Sequence, residues 1–301
     1  MDQAQQARFD SLYQQHLNAL CRQGKAASTI DVYARAVRRI TEFFDQCPDR
    51  LTLAQLKQYF DALVKSHSWS TVKVDRNGLQ FFYKHVLNQD WQWVNIVKPP
   101  QHKPLPDILT STEIERIINA TRELRYQTYI LTVYSMGLRL GEALNLKVGD
   151  IDGERMRVHV RNGKGGKDRF VTLPAMTLKA LRRYWCSHRH PRLLFPGGRT
   201  PEERGRAREV MSRGGVQQSF KAIVHSCGIH KSVTIHSLRH CYGAHLVEMG
   251  VNLRAIQRQM GHECPKTTAL YTQLTEAAEQ NTSALIDALM ARLALSWQRE
   301  G

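Results

Sequence analysis

Five polar side chains in the sequence could act together on a phosphate ester. His236 and Arg239 lie three residues apart, a spacing that puts two side chains on one face of a helix. His262 and Tyr271 follow them, and Arg139 precedes them. Two guanidinium groups can grip the non-bridging oxygens of a phosphate at several points. The pattern therefore predicts a site in which Tyr271 attacks a phosphodiester while the arginines stabilise the negative charge.

Tyr271 alone carries little information, since a tyrosine in an amphipathic helix is more often a core residue than a nucleophile. As a nucleophile it would have to lose a proton whose ordinary pKa is about 10. Nearby positive charge would favour that loss, and His236 could accept the proton. The interpretation therefore depends on the joint pattern of the polar residues and not on the tyrosine by itself.

In this order the motifs resemble those of the tyrosine recombinases, the phage-integrase and Xer group. Gly-Leu-Arg-Leu-Gly-Glu around Arg139 matches the first arginine motif of that family, and Met260-Gly261-His262 matches its Leu-Gly-His motif except at Met260. Thr-x-x-Tyr-Thr matches the setting of the nucleophile. The resemblance extends over roughly residues 5–295. The catalytic set that it implies is Arg139, Lys164, His236, Arg239, His262 and Tyr271, with Glu142 and His240 in support.

The leaving 5′-oxygen needs a proton, and by the resemblance its donor is Lys164 on a β-hairpin. Lys167 lies in the same turn and remains an alternative. The products would be a 3′-phosphotyrosine and a free 5′-hydroxyl, which retain the energy of the phosphodiester bond. Strand exchange would then need neither ATP nor a metal ion. The sequence fits this expectation, since it has no Walker-A loop and no carboxylate cluster suited to two metals. No cofactor is expected.

The resemblance implies a site-specific recombinase that exchanges strands of double-stranded DNA through a Holliday junction. The active form would be a homotetramer on DNA, assembled from a free monomer or dimer. An Xer-like enzyme and an integrase of a phage, transposon or plasmid both fit. Two alternatives are a type IB topoisomerase, which would relax supercoils as a monomer, and a DNA-binding protein without activity. The second histidine, His262, and the helical N-terminal domain favour the recombinase, and no catalytic position is lost.

The charge of the chain agrees with a polyanionic partner. The formal net charge is +16, and it is unevenly distributed. Residues 1–97 carry 12 basic and 9 acidic side chains, whereas the remainder carries 31 and 18. A positive field of this size attracts nucleic acid, although a basic surface without such a partner stays an alternative.

The cysteines and the hydropathy pattern indicate a cytosolic protein. The six cysteines are scattered without a Cys-x-x-Cys pair, which favours reduced thiols over disulfides or a zinc site. No long apolar run predicts a transmembrane helix, and the polar residues 1–10 do not form a secretory signal. We expect a cytoplasmic location, associated with a bacterial nucleoid, and no membrane partner.

The elements that must position these residues predict a mainly α fold with a small antiparallel β-sheet. Residues 1–97 read as a helical bundle, a SAM-like core-binding domain by the resemblance. Residues 98–107 form a Pro-rich basic linker, and residues 108–301 form the catalytic domain, with strands at 155–161 and 169–173. The resemblance implies that the two domains form a C-shaped clamp on DNA. The final helix, about 277–298, would dock in trans on a neighbouring protomer, with folding back on its own domain as the alternative.

Helix starts and basic side chains mark the expected DNA contacts. Ser28 is expected to cap the second helix, and Ser70 or Thr71 to start the fourth. Each basic residue could equally belong to an ordinary solvated face. The same two interpretations apply to the nine arginines of segment 182–213, which we expect to be largely loop. The predicted contacts are Lys25, Ser28, Arg35, Arg38, Arg39, Thr71, Lys73, Arg76, Lys98, Lys103, Lys167 and Arg169.

Overall fold

A computed structural model describes residues 1–91, 106–163 and 166–262, together with positions 264, 268 and 271. The chain separates into two compact units, Met1–His102 and Lys103–Gly301. The division falls inside the Pro-rich segment 98–107. The predicted trans-docking helix, about 277–298, lies outside the described residues.

The first unit is a bundle of four α-helices around an apolar core. A capping box starts α3, where Thr52 and Gln55 satisfy each other's backbone N–H groups. Val37, Ile40 and Phe82 are fully buried in the core between the helices. The helices are α1 (Gln3–Arg22), α2 (Ala27–Phe44), α3 (Leu53–Ser66) and α4 (Trp69–His85).

Two helix starts in this unit differ from the sequence prediction. Helix α2 follows Ala26, which has no capping side chain, so Ser28 lies inside the first turn and is not the N-cap. Helix α4 begins two residues earlier than expected, because the hydroxyl of Ser68 accepts a hydrogen bond from the backbone N–H of Thr71 (3.4 Å). The prediction for α2 was wrong because this helix starts without a side-chain cap, and the prediction for α4 was wrong because several serines and threonines precede that helix and Ser68 is the one that caps it.

The second unit combines eight α-helices in its described part with a small sheet. Thr110 and Glu113 form a capping box at the start of α5. The helices are α5 (Ser111–Ala120), α6 (Leu124–Met136), α7 (Leu140–Leu144), α8 (Ala175–Cys186), α9 (Pro201–Gly205), α10 (Arg213–Ser226), α11 (Ile235–Glu248) and α12 (Leu253–Met260). The fold class, mainly α with a small antiparallel sheet, is confirmed.

The sheet has three antiparallel strands in the order β1-β2-β3. They are β1 (Ile151–Asp152), β2 (Arg157–Val160) and β3 (Arg169–Thr172). Val158 pairs with Val171, and both side chains are buried, so one face of the sheet joins the core. The strand β1 was not predicted, because two residues are too few to show an alternating pattern.

The core of the second unit lies around α6, on which α8 and α11 pack. Tyr129 and Val133 of α6 and Leu238 of α11 are fully buried there. Helix α12 packs against β3. These contacts bring the C-terminal ends of α6 and α12, the first turns of α11 and the start of β3 to one region. The polar residues of the motifs lie there.

Segment 187–212 is largely irregular, as expected, but it is tied to the core. Lys147 pairs with Leu193, and Pro196 with Val210, in isolated β-bridges. The imidazole of His190 accepts hydrogen bonds from two backbone N–H groups of the loop. Of the described helices, none has the length and apolar character needed to span a membrane.

Candidate active site

Arg239, in the second turn of α11, is the most deeply buried charge of the site. Its side chain is 2% exposed. It donates hydrogen bonds to the carbonyl oxygens of Gly137 at the end of α6 and Met260 at the end of α12. Burial and the charge of Arg139 lower the pKa of Arg239 to about 10, so it stays protonated at neutral pH. A positive charge fixed by backbone oxygens is preorganised to receive an anion.

Arg139 is the N-cap residue of α7. Its side chain is 25% exposed. Nη1 donates to Oε1 of Glu142 (2.7 Å), and Nη2 donates to the carbonyl oxygen of Gly261 (3.1 Å). The backbone N–H of Arg139 donates to the other carboxylate oxygen of Glu142 (2.9 Å). Glu142 therefore holds both the backbone and the side chain of Arg139.

Arg169, at the start of β3, completes the environment of Glu142. Its Nη1 and Nη2 donate to the two carboxylate oxygens of Glu142 at 2.9 and 2.8 Å, and its Nε donates to the carbonyl oxygen of Gln259 (3.2 Å). Burial raises the pKa of Glu142, but the hydrogen bonds and charge of Arg169, followed by those of Arg139, outweigh it and lower the pKa to about 2. Glu142 is therefore ionised at neutral pH.

Tyr271 lies in the same region with its side chain fully buried. Its hydroxyl is 3.3 Å from Nδ1 of His240. Burial raises the pKa of Tyr271 to about 12, against the opposing charge of Arg239. Burial and the charge of His236 lower the pKa of His240 to about 4, so its ring is neutral at neutral pH.

The histidine beside the hydroxyl differs from the one we considered. His236 was the expected proton acceptor, but its ring contacts the ring of His240 (4.8 Å between centroids), and His240 faces Tyr271. The cause is helical spacing, because His240 lies one turn farther along α11 on the same face. His236 is exposed at the start of the helix.

His262 lies on the other side of the tyrosine. Its ring is stacked on the ring of Tyr271 at 6.1 Å between centroids, and its Nδ1 is 2.9 Å from the hydroxyl of the buried Thr268. Burial and the charges of Arg239 and Arg139 lower the pKa of His262 to about 4. A neutral His262 whose Nδ1 accepts from Thr268 carries its proton on Nε2, where it can be donated.

Gly243 forms the seat of the tyrosine ring. A Cβ atom at this position of α11 would lie 2.4 Å from Cε2 of Tyr271 and 2.6 Å from Cζ. Such a distance is far below van der Waals contact, so only glycine lets the ring lie here. The sequence analysis missed this residue, although a glycine in the middle of a helix usually has a packing or functional reason.

A basic cleft of about 570 Å³ opens beside Arg139. Arg161 on its wall is paired with Asp150 (2.6 Å), and Arg213 begins α10 close to Gly141. Arg161 was not among the predicted site residues, and Arg213 was considered only as part of the arginine-rich segment 182–213. The basic residues that line the cleft are Arg139, Lys147, Arg161 and Arg213, next to Asn162 and Gly163 of the hairpin.

The remaining predicted site residues are spread over the chain. Lys164, Lys98 and Lys103 lie outside the described residues, and Lys167 is exposed. In the first unit Arg39 binds the buried carboxylate of Asp75 (2.6 Å), which also accepts from Tyr59, so this arginine ties helices together. Thr71 and Arg76 are half-buried. The exposed residues of this set are Lys25, Ser28, Arg35, Arg38 and Lys73.

Arg169 does not lie at the surface that we expected for a DNA contact. Its side chain is 12% exposed, and the carboxylate of Glu142 occupies both of its terminal nitrogens. The prediction considered only its charge and its position after the hairpin. The structure instead makes Arg169 a partner of Glu142 inside the site. Within the described part of the chain, no cluster of His, Cys, Asp and Glu side chains could hold a metal ion.

Comparison with known proteins assigns both units. Residues 107–278 match the phage integrase family, and residues 12–93 match the N-terminal SAM-like domain of phage integrases. The chain is 34% identical over 245 residues to a putative integrase/recombinase, y4qK, of Sinorhizobium fredii, covering 80% of this chain and 77% of the relative. It is 31% identical over 258 residues to the tyrosine recombinase XerA of Thermococcus onnurineus, covering 84% and 87%.

Solved structures share the fold. The recombinase XerH bound to its difH substrate in a pre-cleavage complex has a TM-score of 0.66 at 20% identity, covering 85% of this chain and 80% of that one. The Tn1549 transposon integrase bound to transposon right-end DNA has a TM-score of 0.65 at 18% identity, covering 92% and 99%. With both domains matched and the arginines, histidines and tyrosine gathered at one site, the chain belongs to the phage integrase family of tyrosine recombinases.

Proposed function

We propose that this recombinase cleaves and rejoins double-stranded DNA at a specific site through a 3′-phosphotyrosine formed by Tyr271. One observation carries the proposal. Tyr271 lies beside the rings of His240 and His262 and near the buried charge of Arg239. Strands would be exchanged through a Holliday junction. The enzyme would act on chromosomal or mobile-element DNA in the bacterial cytoplasm, and both an Xer-like enzyme and a phage, transposon or plasmid integrase fit.

The arginines would bind the scissile phosphate. Arg239 and Arg139 would contact its non-bridging oxygens, where negative charge increases during attack. His262 would add a donor from Nε2. The basic cleft beside Arg139 would accommodate the neighbouring DNA backbone, since its cations suit phosphates.

Proton transfers would complete the reaction. The hydroxyl of Tyr271 would pass its proton to His240, the histidine at hydrogen-bond distance in the structure. Lys164 would protonate the leaving 5′-oxygen, with Lys167 as the alternative in the same hairpin. Since the new phosphotyrosine bond replaces the phosphodiester bond, rejoining needs no ATP, and the arginines take the place of a metal ion in stabilising charge.

The test compares Tyr271→Phe with the wild type on a nicked suicide substrate. The substrate would carry the best site found by mapping bound and cleaved positions across the host genome. We expect the wild type to form a covalent protein–DNA adduct and Tyr271→Phe to form none while still binding DNA. No adduct from the wild type on its best site would refute the proposal.

The alternative of a type IB topoisomerase is not favoured, because the family match covers both the catalytic and the SAM-like domain. Supercoiled DNA without any recombination site distinguishes the two functions. A recombinase should leave it supercoiled, whereas rapid relaxation by the wild type would favour the topoisomerase.

We further propose that the active form is a homotetramer in which residues 277–298 dock on a neighbouring protomer. The segment directly follows the nucleophile and carries an apolar stripe that includes Leu285, Leu289 and Leu293. Deleting residues 283–301 should therefore abolish cooperative synapsis and strand exchange while binding to a single half-site persists. Intact synapsis by the shortened chain would show that the segment does not dock in trans.

A further inference from the structure

Arg169 connects three segments of the active site. It begins β3, the strand that follows the hairpin containing Lys164. Its guanidinium binds Glu142 of α7 with two hydrogen bonds and the backbone of Gln259 in α12 with a third. Its stem passes the backbone of Gly261, where a Cβ atom would lie 2.9 Å from Cδ of Arg169. The close approach to Gly261 places the arginine beside the turn that leads to His262.

Glu142 lies between two arginines, and only one of them is placed to bind substrate. Its carboxylate is 7% exposed and receives four hydrogen bonds from Arg169 and Arg139, including one from the Arg139 backbone. Arg139 is the more exposed of the two, and it lines the basic cleft. If Arg169 were absent, the buried carboxylate would have Arg139 as its main counterion.

We propose that Arg169 is a positioning residue, which neutralises Glu142 so that Arg139 stays available to the scissile phosphate and which fixes the start of β3 against the Gly261 turn. This inference rests on the proposed function of the site. It gives Arg169 a role without contact to DNA. An arginine is suited to it, since a planar fork can bind both oxygens of a carboxylate at once.

The charges around Glu142 support this division of roles. Burial alone would raise the pKa of its carboxyl group, and the hydrogen bonds and charge of Arg169 are the largest opposing influence, ahead of Arg139. Arg239 and His236 also face its negative charge. Loss of Arg169 should therefore raise the pKa of Glu142, and its carboxylate, while ionised, would draw Arg139 away from the phosphate.

The first experiment measures Arg169→Gln on the suicide substrate with saturating protein. We expect the single-turnover rate of adduct formation to fall about 100-fold, while DNA affinity and its salt dependence change less than twofold. Arg169→Lys should lie between the wild type and Arg169→Gln, because it keeps the charge but not the two-point geometry. Thermal unfolding of each variant checks that it folds. If Arg169→Gln does not fold, Arg169→Lys takes its place in the comparison with the wild type.

A DNA-contact role would give the opposite result. The rate at saturation would then be unchanged, and the slope of log affinity against log salt would shrink by about 0.9, the value for one lost phosphate contact. That outcome would overturn the proposal. A wild type that forms no adduct refutes the proposed function instead, so the two failures are distinguishable.

A double variant tests whether Arg169 acts through Glu142. In Glu142→Gln/Arg169→Gln no buried carboxylate is left to compete for Arg139. We expect the double variant to form adduct at least about tenfold faster than Arg169→Gln alone. In Arg169→Gln the rate deficit relative to the wild type should also shrink as the pH falls toward the raised pKa of Glu142, because a protonated carboxyl group no longer competes for Arg139. Losses that simply multiply, with an unchanged pH profile, would mean a purely structural role.

A glycine pair tests the same contact from the other side. Gly261→Ala would drive a methyl group into Arg169, at a position where φ is +65°. Gly228→Ala is the matched control, since Gly228 also has a φ of +65° but no atom within 4 Å of the added Cβ. We expect slower adduct formation only in Gly261→Ala. Equal rates in the two variants would contradict the coupling between Arg169 and the Gly261 turn.

Discussion

Single buried side chains decide the electrostatics of both units. Arg239 shows this in the catalytic unit, where a buried guanidinium bound to carbonyl oxygens keeps its charge at neutral pH. His16 shows the reverse in the first unit. It is fully buried with its ring edge-on to the rings of Phe81 and Phe82, and burial lowers its pKa to about 4. Burial thus leaves Arg239 charged at neutral pH and keeps His16 uncharged.

His16 should make the first unit sensitive to acid. Its folded-state pKa of about 4 lies below the ordinary histidine value of 6.5, so between these values the unfolded chain binds more protons. The contribution of the uncharged His16 to the free energy of unfolding is therefore fully present above pH 6.5. It declines as the pH falls toward 4, by at most about 3 kcal/mol at 1.36 kcal/mol per pKa unit. His16→Phe should flatten this dependence in the unfolding transition of the first unit, measured by denaturant titration at several pH values.

The exposed His67 provides the control, since its ring is in water in both states. His67→Gln should keep the acid sensitivity of the wild type. If His16→Phe lost stability between pH 6.5 and 4 as steeply as the wild type, the burial of His16 would not be the cause.

At the scale of elements, helix α11 organises the site. The helical repeat places His236, Arg239, His240 and Gly243 along one side of α11. The last three make separate contacts there. Arg239 joins the ends of α6 and α12, His240 meets the tyrosine hydroxyl, and Gly243 makes room for the ring. The helix therefore fixes where Tyr271, the proposed nucleophile, lies relative to the charge of Arg239.

Gly243→Ala should displace Tyr271 from this place. The added methyl group would meet the tyrosine ring at 2.4 Å, so the ring has to move away from His240. We expect adduct formation to slow by about tenfold or more, in line with the sensitivity of catalysis to misplacement by an ångström. A rapid-quench time course on the suicide substrate measures the effect.

Gly214→Ala in α10 is the matched control. Only the hydroxyl of Ser212, at 3.8 Å, comes near the added Cβ, so the change is an ordinary helical glycine-to-alanine substitution. It should raise stability by roughly 0.5–1 kcal/mol and leave the rate unchanged. An unchanged rate in Gly243→Ala would show that the ring does not need this seat.

The sequence predicts elements better than the contacts between them. The helical bundle within residues 1–97 and the strands at 155–161 and 169–173 were predicted, and the structure contains them as α1–α4, β2 and β3. The helical spacing predicts that His236 and His240 lie on one face of α11. Which of the two faces the hydroxyl of Tyr271 depends on how α11 packs against the tyrosine, and the spacing does not give that. The role of Arg169 could not be predicted, because its partner Glu142 lies 27 residues earlier in the chain.

At the scale of the whole molecule, the two units have separate cores and unequal charge. Phe60 and Phe82 belong to the core of the first unit, and Tyr129 and Phe195 to that of the second. Most of the positive charge follows residue 97. The catalytic unit should therefore dominate the electrostatic part of DNA binding.

Two fragments, 1–102 and 103–301, test this expectation on a duplex of random sequence. Counterion release makes log affinity fall with log salt in proportion to the phosphates neutralised. We expect fragment 103–301 to keep more than half of the salt slope of the full chain and fragment 1–102 to have a smaller slope. Circular dichroism checks the folding of each fragment, and a larger slope for fragment 1–102 would contradict the assignment.

The hydrogen bond from Arg239 to the carbonyl oxygen of Met260 affects which side chains position 260 can accept. Position 260 contributes a main-chain atom to the active site, while its side chain fills an apolar cluster with Ala244, Val247 and Ile256. Substitution at position 260 is therefore constrained by side-chain volume and not by side-chain chemistry. In a randomised library, position 260 should accept leucine or isoleucine with full recombination, whereas position 239 should return only arginine.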